Sequence, residues 1–353
     1  MIRIGLIAAA FIISLAASAS AQNPSFILKL QVGGKQHAAL IRVPTGLGEK
    51  PPVVFYVHGM TDSGGWFEKM GGTDATADRE KYICVYTCAA ANCGSGTWSD
   101  MTGTTHFPYF FALLDSMDAR YKVDRKRVYM TGFSQGGFIS FSAACNYPDI
   151  FAAVAPISGT ANASATCSLK RPIPIYLTWG AQEGATNFLK SRDTWLQRNK
   201  CPTTGIASKP YPASTPNTKR ARVTYGPCEG NTQVIIDSIG GHGHRWPAQS
   251  NGNQADHIWD FFKQYSLDKT TEVNPRASAR SGLAYTVSYA SGIIRLAGLR
   301  EEVKVEVTDT KGQLIATANT RQHQFAFKGE SGAVYMVTVR GGGSTAAQKI
   351  IIP

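Results

Sequence analysis

Apolar and polar positions along the chain follow two rhythms. Val53-Val54-Phe55-Tyr56-Val57, Tyr82 to Tyr86, Val128-Tyr129-Met130, Phe151 to Ile157 and Ile173 to Thr178 are apolar on nearly every residue. That pattern predicts strands covered on both faces, as in the interior of a parallel sheet. Between these runs the spacing turns helical. Phe110 to Tyr121 places Phe111, Leu114 and Met117 on one face, and Asp78-Arg79-Glu80-Lys81 closes another helix-like stretch. Alternation from about Val53 to Phe262 predicts an α/β class, with a mostly parallel sheet and helices on both faces. Ahead of it, Phe26 to Val43 reads as two antiparallel strands around Gly33-Gly34.

The rhythm changes after Leu267. Residues 268–282 are polar, contain Pro275 and lack an apolar period, which predicts a linker. Short alternating runs follow at Tyr285–Tyr289, Val303–Val307, Leu314–Thr317, Phe325–Phe327, Val334–Val339 and Lys349–Ile352. They predict a small all-β sandwich over residues 283–353. At the other end, Met1-Ile2-Arg3, an apolar run from Ile4 to Leu15 and Ala19-Ser20-Ala21 have the layout of a signal peptide over residues 1–21. The apolar run is too short for a membrane anchor, so a secreted protein without stable membrane insertion is expected. The main α/β unit would then occupy residues 22–267.

Composition narrows the partners. Charged residues make up 17 % and glycines number 35, which argues against disorder. The net charge of +12 invites a nucleic-acid reading. Basic residues are scattered, however, apart from Lys219-Arg220-Ala221-Arg222, and no nucleic-acid motif accompanies them. The charge is expected on a solvated surface, with no nucleic-acid partner. Seven cysteines in an exported chain imply disulfides with one thiol left over. Cys84, inside the Tyr82–Tyr86 strand, is the candidate free thiol. Proximity alone suggests Cys88 with Cys93 and Cys145 with Cys167. No two cysteines have CxxC spacing, which argues against zinc, and no metal or cofactor is expected.

The candidate chemistry centres on Gly132-Phe133-Ser134-Gln135-Gly136, set between a predicted strand and a helical pattern. This is the layout of the nucleophile elbow of α/β-hydrolases, in which a strained turn lifts the serine above the sheet. The Gln135 amide at the helix start could donate to an oxyanion. A serine nucleophile needs a base, and the base needs an acid to hold its tautomer. The glycine-rich loop Gly240-Gly241-His242-Gly243-His244, after the strand Val234–Ile236, offers two histidines, either of which could serve.

Several motifs in order carry a resemblance. They are His58-Gly59, Tyr121-x-Val-Asp124-x-x-Arg127-Val-Tyr, Tyr147-Pro-Asp-x-Phe151-Ala, Trp195…Asn199-x-Cys201, Tyr225-x-x-Cys228 and Gly243-His244-x-Trp246-Pro247. Over about Phe26 to Tyr265 the chain resembles secreted esterases of the polyhydroxybutyrate depolymerase and feruloyl esterase type, grouped with the family 1 carbohydrate esterases. The resemblance implies an α/β-hydrolase fold, Ser134 as nucleophile and His244 as base, with His242 a loop residue. The family usually has an Asp shortly after a Gly at the end of the next strand region; here Glu183 stands there, with Asp237 the rival acid and Asp193 a surface residue. The amide of Met60 would join that of Gln135 in the oxyanion hole, and Cys201 would pair with Cys228. The implied function is hydrolysis of carboxylic esters on plant cell-wall polysaccharide through an acyl-enzyme, feruloyl esters first and acetylxylan next. Aromatic residues including Trp98, Trp179 and Trp246 would wall the substrate site. A polyhydroxybutyrate depolymerase is the alternative. A glycan-binding protein on a hydrolase scaffold is the non-enzyme reading, and the presence of serine, histidine, acid and both oxyanion loops speaks against it. In the C-terminal module, Asp309-x-x-Gly312, Gly332-x-Val-Tyr335-x-Val337 and the closing Lys349-Ile-Ile-Ile resemble type IX secretion sorting domains, which implies contact with export machinery.

Overall fold

The computed structural model describes residues 25–268 except 163–166, 168–170, 216–217 and 248–251, and then 286–290, 293–297, 302–309, 313–320, 324–330, 333–341 and 344–351. The expected signal peptide and all but the first residue of the expected linker lie outside the described residues, as do Gly312 and Gly332 of the C-terminal motifs.

The first unit runs β1 (Ser25–Val32), β2 (Lys35–Arg42), β3 (Val53–Val57), α1 (Gly64–Met70), α2 (Thr73–Glu80), β4 (Ile83–Thr87), α3 (Phe107–Tyr121), β5 (Val128–Phe133), α4 (Gln135–Asn146) and β6 (Ala153–Ile157). It continues with β7 (Ile175–Gly180), α5 (Thr186–Arg198), β8 (Ile206–Ser208), β9 (Arg220–Tyr225), β10 (Val234–Ile239) and α6 (Gln254–Phe262). One ten-stranded sheet takes the order β1-β2-β4-β3-β5-β6-β7-β10-β9-β8. The run β4-β3-β5-β6-β7-β10 is parallel, and the antiparallel pairs lie toward the two edges.

Side chains on successive strand residues point to opposite faces, so an unbroken apolar run feeds two cores. Val53, Phe55 and Val57 of β3 pack in one cluster with Phe110 and Met117 of α3, Ile139 of α4 and Trp195 of α5. Val54 and Tyr56 of the same strand pack in the other, with Phe67 of α1, Ala77 of α2 and Trp259 and Phe262 of α6. Helices therefore cover both faces, as the sequence pattern predicts. The antiparallel turn at Gly33-Gly34 also forms as predicted. Helix α3 begins three residues earlier than the apolar period suggests, at Phe107, where Pro108 fits a first turn whose amides need no helical acceptor.

The C-terminal strands are β11 (Thr286–Ala290), β12 (Ile293–Ala297), β13 (Val303–Thr308), β14 (Leu314–Thr320), β15 (Gln324–Ala326), β16 (Val334–Gly341) and β17 (Ser344–Ile351). They form two antiparallel sheets, β11-β12-β15 and β14-β13-β16-β17. Ile294 and Leu296 from the first share a core with Val303, Val305, Val307, Val337 and Val339 from the second. The strand β12 is absent from the sequence expectation.

Candidate active site

Four of the parallel strands deliver the candidate residues at their C-terminal ends. Strand β5 ends at Phe133 and α4 begins at Gln135, which leaves Ser134 alone in the turn with φ 54° and ψ −113°. That backbone is costly for a residue with a side chain and is held by its surroundings. The Ser134 amide donates to the Ile157 carbonyl at 2.9 Å. The glycines on either side permit the approach of helix to sheet. A Cβ at Gly136 would lie 1.8 Å from the Val57 carbonyl oxygen, and one at Gly132 would lie 2.4 Å from the Gly136 backbone.

Strand β7 runs into a single 3₁₀ turn, Ala181–Glu183, and β10 into the glycine-rich histidine loop. The Gln182 amide donates to the His242 carbonyl at 3.0 Å and joins these two loops. His244 bridges them chemically. Its Nδ1 lies 2.5 Å from Glu183 Oε2 and its Nε2 lies 2.9 Å from Ser134 Oγ. A carboxylate can only accept, so Nδ1 carries the proton and Nε2 is left as acceptor for the serine hydroxyl. The other carboxylate oxygen, Oε1, accepts from the Gly180 amide at 2.8 Å and from the Ser158 hydroxyl at 2.7 Å. Phe133 packs on the His244 ring with centroids 5.0 Å apart and is itself stacked on Trp66. His242 is buried and its Nε2 lies 3.0 Å from the Arg245 carbonyl, so it braces the loop instead of facing Ser134.

The rival acid is engaged elsewhere. Asp237 is fully buried and accepts from Arg220 Nη1 at 2.7 Å, Arg222 Nε at 2.7 Å, Arg222 Nη2 at 2.9 Å and the Tyr176 hydroxyl at 2.5 Å. Burial by itself would raise its pKa. The two guanidinium groups and the phenol overcome this and hold the carboxyl at about 2. The same contacts correct the expectation for the basic cluster. Arg220 is wholly inside the protein and Arg222 is nearly so, while Lys219 stays exposed. Asp193, in α5, is exposed and pairs with Arg192.

The turn after β3 lies against the elbow. A Cβ on Gly59 would sit 3.4 Å from Ser134 Cβ, which puts Met60 and Gln135, the two expected oxyanion donors, beside the serine. His58 is buried with its ring between backbone groups. Nε2 accepts the Ala89 amide at 3.1 Å, so Nδ1 is protonated and donates to the Gly59 carbonyl at 2.7 Å. Burial lowers the His58 pKa and favours this neutral ring. The Gly59 carbonyl and the Met60 N–H belong to one planar peptide, so holding the first orients the second.

The tryptophans require a correction. Trp98, Trp179 and Trp246 are 3 %, 4 % and 6 % exposed, too little to wall a substrate site. Trp98 is a brace: its indole N–H donates to the His58 carbonyl at 3.0 Å, and its amide donates to Gln135 Oε1 at 3.1 Å. Trp179 stacks on Phe188, and Trp246 packs edge-on against Trp66 and Phe67. An open cleft of about 340 Å³ does adjoin the site, lined by Phe138, Ser158, Thr160, Glu183, Gly184, Thr186, Asn187, Phe188 and His244. None of Phe138, Ser158, Thr160 or Phe188 is marked by a motif in the sequence. Disulfides join Cys88 to Cys93, Cys145 to Cys167 and Cys201 to Cys228, and Cys84 is a buried free thiol. No helix among the described residues is long and apolar enough to cross a membrane.

Comparison with known proteins agrees with this architecture. The chain is 29 % identical over 234 residues to the bifunctional acetylxylan esterase/xylanase XynS20E of Neocallimastix patriciarum, covering 65 % of this chain and 33 % of that protein. It is 26 % identical over 258 residues to feruloyl esterase B of Piromyces equi, covering 65 % of this chain and 45 % of that one. The chain thus spans less than half the length of these curated relatives. An acetyl xylan esterase from Aspergillus awamori shares the fold, with a TM-score of 0.54 at 16 % identity over 67 % of this chain and 99 % of its own. The family model described as "Putative esterase" matches residues 34–215, more than half of the chain, and the protein belongs to that esterase family.

Proposed function

We propose that the protein is a secreted serine esterase that cleaves carboxylic esters on plant cell-wall polysaccharide, feruloyl esters first and acetylxylan next. The single observation that carries this reading is His244, within hydrogen-bonding distance of both Ser134 Oγ and Glu183 Oε2. In the reaction, Ser134 Oγ attacks the ester carbonyl carbon and its proton passes to His244 Nε2. The Met60 and Gln135 amides take the charge that develops on the carbonyl oxygen. The bond to the sugar oxygen then breaks, His244 returns the proton to that oxygen, and an acyl group remains on Ser134. Water, deprotonated by His244, releases the acid and restores the serine. Glu183 supports the imidazolium through the contact to Nδ1 in both halves.

The substrate class draws on the relatives named for acetylxylan and feruloyl esters and on the adjoining cleft, where the half-buried Phe138 ring and the Thr160, Thr186 and Asn187 side chains suit a phenolic ring or a sugar face. Residues 22–267 are the catalytic unit in this reading. Residues 283–353 form a separate module, resembling sorting domains, that engages export machinery. Rates on methyl ferulate, acetylated xylan and a 3-hydroxybutyrate oligomer test the assignment. Ferulate or acetate should be released with clearly higher kcat/KM, and Ser134→Ala should abolish the release. Preference for the hydroxybutyrate oligomer would move the function to polyester hydrolysis.

A further inference from the structure

We infer that Ser158 is a positioning residue for ester cleavage, holding the Glu183 carboxylate in register with His244; this rests on the serine-esterase reading above. Ser158 follows β6 directly, is 4 % exposed and has φ 50°. Glycine would relieve that backbone, so a retained side chain at such a position points to a use for it. The use is visible: Ser158 Oγ donates to Glu183 Oε1 at 2.7 Å. The Ser158 amide donates to the Thr178 carbonyl of β7 at 2.8 Å, which limits how far the hydroxyl can swing. The residue before it, Ile157, receives the Ser134 amide through its carbonyl. One dipeptide therefore ties the nucleophile turn to the acid.

The chain has a particular need for such a tie. Glutamate has one more rotatable bond than the aspartate expected at this place, and a carboxylate that turns freely would lose its aim at His244 Nδ1. Ser158 and the Gly180 amide occupy Oε1 together and leave Oε2 for the imidazole. Ser158 also lines the open cleft beside Glu183, so without its hydroxyl Oε1 would be left to mobile water. Hydrogen bonds to an ionised group are among the stronger ones, and loss of this one is expected to cost about 10- to 100-fold in turnover.

The test is steady-state kinetics of Ser158→Gly and Ser158→Ala on methyl ferulate or p-nitrophenyl acetate, in the wild-type and Glu183→Ala backgrounds. Ser158→Gly removes the hydroxyl while relaxing the backbone, so its thermal midpoint should not fall. In the wild-type background both variants should lower kcat about 10- to 100-fold, with KM within about twofold of the parent. In the Glu183→Ala background neither should lower kcat further, because Ser158 acts through that carboxylate. Wild-type kcat in folded Ser158→Gly, a loss carried by KM, or equal losses in both backgrounds would each overturn the inference. The reading beneath it fails separately: if Ser134→Ala hydrolyses these esters as fast as wild type, the esterase site is elsewhere.

Discussion

Replacing Asp237 with Asn distinguishes a buried structural carboxylate from a catalytic one. The side chain satisfies Arg220, Arg222 and Tyr176 at once, inside the protein. Asn keeps the shape but loses the charge, and its amide nitrogen would face guanidinium donors. Breaking a buried ion pair from one side typically costs about 3–5 kcal/mol. For a unit of this size, where 1 kcal/mol moves the midpoint by about 2–4 °C, the melting temperature should fall by roughly 6–20 °C. There is also a pH signature. Folding lowers this carboxyl from 3.8 to about 2, so its ionisation favours the folded state. That contribution, roughly 2 kcal/mol, is complete above the unfolded value, declines as the pH falls, and is gone once the pH has passed below the folded value. The wild type should lose this increment between about pH 4 and 2, and Asp237→Asn should not. Thermal melts against pH, with initial rates on p-nitrophenyl acetate at 25 °C, measure both effects. Glu183→Gln should show the reverse: a near-normal melt and turnover down by about 10²–10⁴. An Asp237→Asn protein that melts like wild type yet is catalytically crippled would refute the reasoning and return Asp237 to the acid's role.

Three further outcomes are expected. Ser134→Ala and His244→Ala should each lower turnover by about 10⁴ or more in a folded protein, whereas His242→Ala should lose little, as steady-state rates beside circular dichroism will show. A chain ending near Asp268 should keep its activity on small soluble esters, since the candidate residues all precede that point; loss of the fold on truncation would count against separate units. Trp246→Ala should act through stability, lowering the melting temperature by the equivalent of about 3–5 kcal/mol while leaving the preference among ester substrates unchanged.

The sheet was legible because each central strand is buried on both faces, and Val53–Val57 or Ile83–Tyr86 can then hardly be anything but apolar. The outer, antiparallel strands carry no such constraint. Strand β9, Arg-Ala-Arg-Val-Thr-Tyr, looks like a solvated basic patch because nothing local reveals that Asp237, paired opposite Arg222 in the neighbouring strand, draws both arginines inward. Strand β12, Ile-Ile-Arg-Leu-Ala, escaped because its two adjacent isoleucines and central arginine break the apolar–polar alternation that marks a half-buried strand. At the site, Ser134 announces itself through glycines needed for close backbone packing, and Glu183 and His244 through their places after strand ends. Ser158 has no such marker, since its part depends on a backbone angle and on a neighbour 25 residues away. The tryptophans mislead for a different reason. An indole serves a core or a cleft equally well, and composition cannot tell which way the ring turns.

The buried indoles also turn the protein into its own optical reporter. All six tryptophans precede Asp268, and Trp98, Trp179, Trp195, Trp246 and Trp259 are almost wholly shielded from water. Strands β11 to β17 contain none. Intrinsic emission excited at the red edge of the protein band therefore watches the α/β unit alone, while far-ultraviolet dichroism watches both units. A denaturant titration in which dichroism changes before emission shifts would be recording the C-terminal strands coming apart with the esterase unit still folded.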